Sequence, residues 1–137
     1  MDETTRRQKL TIPGGRLRMV IDSDAKNEVD DQFAIAWALR SPERFQIEAV
    51  YAAPFSHTVF RHNIGDYDFL VQEDPKEGME QSYEEIRKIY QLLGENPDGK
   101  VFRGATGYID EDRNPVQSDA VHDLICLLYT SDAADEL

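Results

Sequence analysis

The sequence predicts an α/β fold, a partial open and mostly parallel sheet with flanking helices. Three observations carry this. Apolar runs that end in Pro or acidic clusters alternate with segments of helical period, in the order strand, helix, strand, helix, strand, helix. The segments between strands are long enough for parallel crossovers. Hydrophobic residues make up 40% of the 137 residues and charged ones 31%, enough apolar material for a core and too much for a disordered chain.

Residues 1–16 read as a polar leader that ends in the breaker cluster Pro13-Gly14-Gly15. Leu17 to Ile21 is the first strand, running into an acidic cluster from Asp22 to Asp31. From Asp30 the period changes to helical. Phe33, Ala34, Trp37 and Ala38 recur on one face, which is expected to meet the sheet, and Ser41-Pro42 stops the helix. Phe45 to Ala53 is a second strand ended by Pro54. It is expected to lie parallel to the first.

Residues 55–78 show no clear period; they carry His57 and His62, which read as loop histidines, and Tyr67 and Phe69, which read either as an aromatic stacking platform or as a satellite core under the loop. Met79 to Leu93 is the clearest helix, with Met79, Tyr83, Ile86, Ile89, Tyr90 and Leu93 along one side. On its polar side Glu84 stands three and four residues before Arg87 and Lys88, spacings that favour ion pairs. Gly94 suits its C-terminus. Val101-Phe102 is a short third strand, Asp110 to Arg113 a solvated turn, and Ser118 a cap for a last helix through Val121 and Leu124, on which His122 is structural or exposed.

Composition narrows the function. Fifteen Lys+Arg against 27 Asp+Glu give a net charge of −12, which argues against nonspecific binding to nucleic acid or anionic membranes. No apolar run is long enough to span a bilayer, and the single cysteine forms no intrachain disulfide. A soluble cytoplasmic protein is the expectation.

The chemistry is expected at Asp22-Ser-Asp-Ala-Lys-Asn-Glu-Val-Asp-Asp31, where a strand meets a helix. Open α/β sheets bind ligands beyond the carboxyl ends of their strands. The loop is expected to fold the carboxylates of Asp22, Asp24, Asp30 and Asp31 towards one point. Crowded carboxylates repel one another, and a hard cation such as Ca²⁺ or Mg²⁺ relieves this. A solvated acidic loop is the plain alternative in so acidic a chain.

The string Val20-Ile-Asp-Ser-Asp-Ala-Lys-Asn-Glu-Val-Asp-Asp-Gln-Phe-Ala-Ile-Ala-Trp-Ala-Leu39 resembles the N-terminus of the inosine/uridine-preferring nucleoside hydrolases. The resemblance continues in Ala49-Val-Tyr-Ala-Ala-Pro54, Gly78 to Ile86 and Val101-Phe-Arg-Gly104, and so spans most of residues 17–125. It implies one Ca²⁺ and hydrolysis of the N-glycosidic bond of a small-molecule ribonucleoside by a water that the calcium holds. By the same resemblance Asp24 is a calcium ligand and the base that takes the water's proton, and Asp31 is a bidentate calcium ligand. Asp30 grips ribose hydroxyls, Asn27 is a weaker candidate for substrate contact, and Asp22 stands behind the strand end. A homo-oligomeric parent is expected.

Two departures stand out. Asp24 and Asp30 are six apart rather than the family's usual four, and the second strand ends in Ala52-Ala53-Pro54 where many relatives have Gly-Asn. Other readings are a non-catalytic acidic α/β module that binds a sugar or nucleoside, and a phosphatase of the haloacid dehalogenase type. The latter fits Ala25-Lys26-Asn27 and the Asp30-Asp31 pair poorly.

Residues 126–137 are expected to be foreign to the domain. Cys126-Leu-Leu-Tyr-Thr-Ser-Asp-Ala-Ala-Asp-Glu136 resembles the translation of a sequencing-library adapter, which makes residues 17–125 the N-terminal part of a longer domain. The chain by itself is then expected to be inactive, and Cys126 to have no chemical role.

Overall fold

The structure, a computed structural model, describes residues 1–12, 14–56 and 72–135, the last six of these by their backbone alone. His57, His62, Tyr67 and Phe69 lie outside the described residues.

The polar leader contains a short helix, α1 (Glu3–Lys9). Asp2 caps it, accepting from the Thr5 N–H at 2.8 Å. Three strands follow: β1 (Leu17–Ser23), β2 (Phe45–Ala52) and β3 (Val101–Arg103). They form one sheet in the order β1-β2-β3, parallel throughout as expected. Leu17 pairs with Phe45 and Ser23 with Ala52, with one irregularity between Met19 and Val20. Lys100 secures the entry to β3 by donating to the carbonyls of Ile47 and Glu48 at 3.2 and 3.1 Å.

Alternation along β2 divides the core. Val50 and Ala52 face the helices α2 (Val29–Leu39) and α3 (Pro75–Leu92), joining Ile35, Met79, Ile86, Ile89 and Tyr90. Ala49 and Tyr51 face the opposite side and meet Ala120 of α4 (Asp119–Asp135).

The buried face of α2 is the expected one only at Ala38; Phe33, Ala34 and Trp37 turn outward. Ile35 and Ala38 are buried, whereas Phe33 and Trp37 are 72% and 77% exposed. The rotation of the helix follows from its first turn. Ser23 donates to Asp31 at 3.0 Å and Gln32 donates to the Ala25 carbonyl at 3.1 Å, so the side of the helix that carries Asp31 faces the end of β1. Ile35 and Ala38 follow Asp31 by four and seven residues and share that side. Between Phe33 and Leu39 every residue is apolar, so periodicity alone could not choose the face.

Helix α3 begins four residues before the expected start. Asp74 accepts from the Lys76 N–H at 3.0 Å, and Pro75 occupies the first turn, where its missing N–H costs nothing. At the other end Gly94, with φ +76°, allows the Glu95 N–H to reach the Tyr90 carbonyl at 2.9 Å and its own N–H to reach that of Gln91 at 3.1 Å. The expected Glu84 ion pairs give way to others. Arg87 pairs with Asp98 at 3.2 Å, and Lys88 lies 3.9 Å from Glu85.

Ser118 caps α4, accepting from the Val121 N–H at 3.3 Å. The helix continues past Cys126, which is exposed, without a break. Tyr51 ties it to the sheet, donating to Asp123 at 2.7 Å. Burial raises the Tyr51 pKa, and the neighbouring Asp123 and Asp22 charges raise it further, so the phenol stays a donor across the physiological range. Tyr51→Phe is expected to cost about 1 kcal/mol, the net worth of one such bond, in urea unfolding. No loss would mean that α4 docks through its apolar contacts alone.

Among the described residues no helix is long and apolar enough to cross a membrane.

Candidate acidic site

The site lies where β1 ends and α2 begins, at the carboxyl edge of the parallel sheet. Between them the chain makes a tight turn, in which the Asn27 N–H donates to the Asp24 carbonyl at 2.7 Å. Wholly buried Ala25 anchors this turn in the core. The Asn27 side chain also donates to Asp24, Nδ2 to Oδ2 at 3.0 Å, so Asn27 holds the Asp24 carboxylate in place. Lys26, the one cation in the turn, pairs with Glu85 of α3 at 3.2 Å.

Asp31 receives the Ser23 hydroxyl on Oδ1 at 3.0 Å. Burial pushes its pKa upward. The Ser23 bond opposes this, while the nearby Asp24 and Asp30 carboxylates add to the rise. Asp24 and Asp31 therefore form a close pair of like charges.

The other two carboxylates are arranged differently from the sequence expectation of a single focus. Asp30 is exposed and turns back to accept the Asp31 N–H at 3.1 Å. Asp22 pairs in register with Tyr51 and so shares the α4 side of the sheet. Its pKa is raised first by burial and then by the charge of Asp24. Strand alternation separates Asp22 from Ser23, which bonds Asp31, because adjacent positions in β1 point to opposite faces.

Ser23 and Gln32 were missed as site residues. Their signal was positional: Ser23 lies between two aspartates at a strand end, and Gln32 directly follows the acidic pair.

The rim beyond β3 is also built. Arg103 donates to both oxygens of Glu80, at 3.0 and 2.9 Å, and its guanidinium lies 3.8 Å from the centre of the Tyr83 ring. Glu80 raises the Arg103 pKa. Gly104 lets β3 leave the sheet close to β2: a Cβ there would sit 2.2 Å from the Ala52 carbonyl oxygen, which the Gly104 N–H bonds at 3.0 Å. A groove of about 490 Å³ runs along α3 past Lys26, Glu80, Glu85 and Arg87. Neither Asp24 nor Asp31 lines it.

Comparison with protein-family models, curated proteins and solved structures finds no match to this chain.

Proposed function

We propose that the Asp24–Asp31 crevice is the cation-binding part of an N-ribohydrolase centre. The reaction is hydrolysis of the N-glycosidic bond of a ribonucleoside, and Ca²⁺ is the cation. The observation that carries this reading is the approach of two carboxylates at a strand-to-helix junction, with Ser23 and Asn27 the donors to them among the described residues. Such a pair is stable in the ionised form when a cation lies against it.

The donors fit a hard cation in kind, since all are oxygens, but not in number. Calcium takes about 6–8 oxygen ligands. Among the described residues no group of three or more His, Cys, Asp or Glu side chains is arranged to hold a metal. Asp24 and Asp31 are the residues that would bind it, and the chain by itself is expected to bind weakly.

When bound, the cation would neutralise the two carboxylates and lower the pKa of an adjacent water. Asp24, held by Asn27, is oriented to take a proton from that water. Asp30, exposed at the start of α2, is available to ribose hydroxyls. Negative charge around the crevice favours the cationic, oxocarbenium-like sugar of the transition state. The chain alone is expected to give no turnover.

The test is base release from inosine and uridine with added Ca²⁺, by this chain and by the product of the uninterrupted gene. Calcium-dependent release by the longer product alone is the expected result. Release by neither, with calcium bound, would replace this reading with a sugar- or nucleoside-binding module.

A further inference from the structure

The amino end of the sheet holds a cavity of about 330 Å³ that plays no part in the acidic crevice. Each strand contributes to it as it begins. Arg16 precedes β1, Phe45 opens β2 and Lys100 precedes β3. The helices contribute Leu39, at the end of α2, and Tyr90, near the end of α3. From Leu17 to Ser23 a strand rises about 20 Å, so cavity and crevice stand at opposite poles of the sheet.

Tyr90 gives the cavity its chemistry. It is 3% exposed, and its hydroxyl has no hydrogen-bond partner among the described residues. Buried hydroxyls are nearly always paired, and an unpaired one costs stability. Burial, and then the charge of Glu95, push the Tyr90 pKa up to about 12, so the group stays a neutral phenol that can donate or accept. Tyr90 and Glu95 both line the cavity, which places the orphaned hydroxyl at its wall.

Two cations stand at the same end. Lys100 donates to the carbonyls of Ile47 and Glu48 at 3.2 and 3.1 Å and keeps a third N–H. Neither Lys100 nor Arg16 is ion-paired among the described residues, in a chain whose net charge is −12. Leu39, Pro42 and Phe45 supply apolar surface between the polar groups. The volume lies at the small end of the range for ligand pockets.

We propose that this cavity binds a small aromatic monocarboxylate. Arg16 and Lys100 take the carboxylate, Phe45 and its apolar neighbours take the ring, and the Tyr90 hydroxyl takes a polar substituent on the ring. Exposed Glu95 limits the ligand to one negative charge. The assignment does not depend on the reading of the acidic crevice.

The probe is 4-hydroxybenzoate, titrated into the full chain and followed by ligand-observed NMR. Saturable binding with Kd on the order of 1 mM is expected for so small a molecule. The neutral analogue 4-hydroxybenzyl alcohol should bind at least about fivefold more weakly. So should the acid to Arg16→Glu, a change at an exposed position.

Tyr90→Phe gives the decisive arm. It removes an unpaired buried hydroxyl, so without probe its urea midpoint should rise. Its affinity for 4-hydroxybenzoate should nevertheless fall about fivefold. A purely structural tyrosine would not give a more stable chain that binds less. The proposal is overturned if the wild-type chain shows no saturable binding, or if the alcohol binds as well as the acid. It is equally overturned if either variant keeps wild-type affinity, or if Tyr90→Phe lowers the urea midpoint.

Discussion

Ile35→Ala should destabilise the chain by about 2–4 kcal/mol, and Trp37→Ala, two residues along the same helix, by less than about 0.5 kcal/mol. Ile35 is fully buried against Val50, Ala52 and the α3 face, whereas Trp37 stands in solvent. Truncating Ile35 removes apolar contact and leaves a cavity that the parallel sheet cannot readily fill. Truncating Trp37 in the monomer removes almost no contact. For a domain with about 5–15 kcal/mol of total stability the first change is large.

Urea unfolding at a concentration where the chain is monomeric measures both. The unfolding slope should be unchanged, so that midpoints alone report the difference. Equal losses would show that α2 is rotated about its axis from the arrangement described here. A larger loss at Trp37 would restore the face that periodicity had suggested.

That contrast also shows what the sequence could reveal. The strand order in sequence, the parallel pairing of β1 with β2, and the position of α3 were legible, because each is marked by a change of period or by a Pro or Gly at its end. The rotation of α2 was not legible. Its segment Phe33-Ala-Ile-Ala-Trp-Ala-Leu39 is apolar all round, and the deciding contacts, Ser23 to Asp31 and Gln32 to Ala25, are tertiary.

The ion pairs of α3 were misread for a related reason. Glu84 has the right spacing for Arg87 and Lys88, but Asp98, in the turn after the helix, comes within 3.2 Å of Arg87 once the chain folds back. At the acidic site the cluster was legible, and so was its position at a strand end. Its division between two faces of the sheet was implicit in strand alternation, which separates Asp22 from Ser23, whereas the Asp24–Asp31 approach depends on how the turn closes through Asn27.

Calcium should stabilise the folded chain, and both Asp24→Asn and Asp31→Asn should abolish that response while Asp22→Asn retains it. The first two remove carboxylates whose charges act on each other at the junction, and Asp22 lies on the α4 side of the sheet. A ligand that binds only the folded state adds RT ln(1 + [L]/Kd), about 1.4 kcal/mol at ten times Kd.

The calcium-free variant has its own signature. Burial and the Asp24 and Asp30 charges raise the folded pKa of Asp31 above its ordinary value. Its ionised form therefore opposes folding. The stability it contributes is fully present below the unfolded pKa and is lost as pH rises through the folded pKa.

At neutral pH without calcium, Asp31→Asn relieves this repulsion and should be more stable than wild type. The gain is on the order of 0.5 kcal/mol, because solvent screens so accessible a group. At a pH well below the ordinary Asp value the advantage should vanish, since the wild-type carboxyl is then neutral as well. Thermal unfolding at both pH values, with and without calcium, separates the outcomes. Equal calcium stabilisation of wild type and Asp31→Asn would remove Asp31 from the proposed ligand set. Loss of the response in Asp22→Asn alone would move the cation to the other face of the sheet, beside Tyr51 and Asp123.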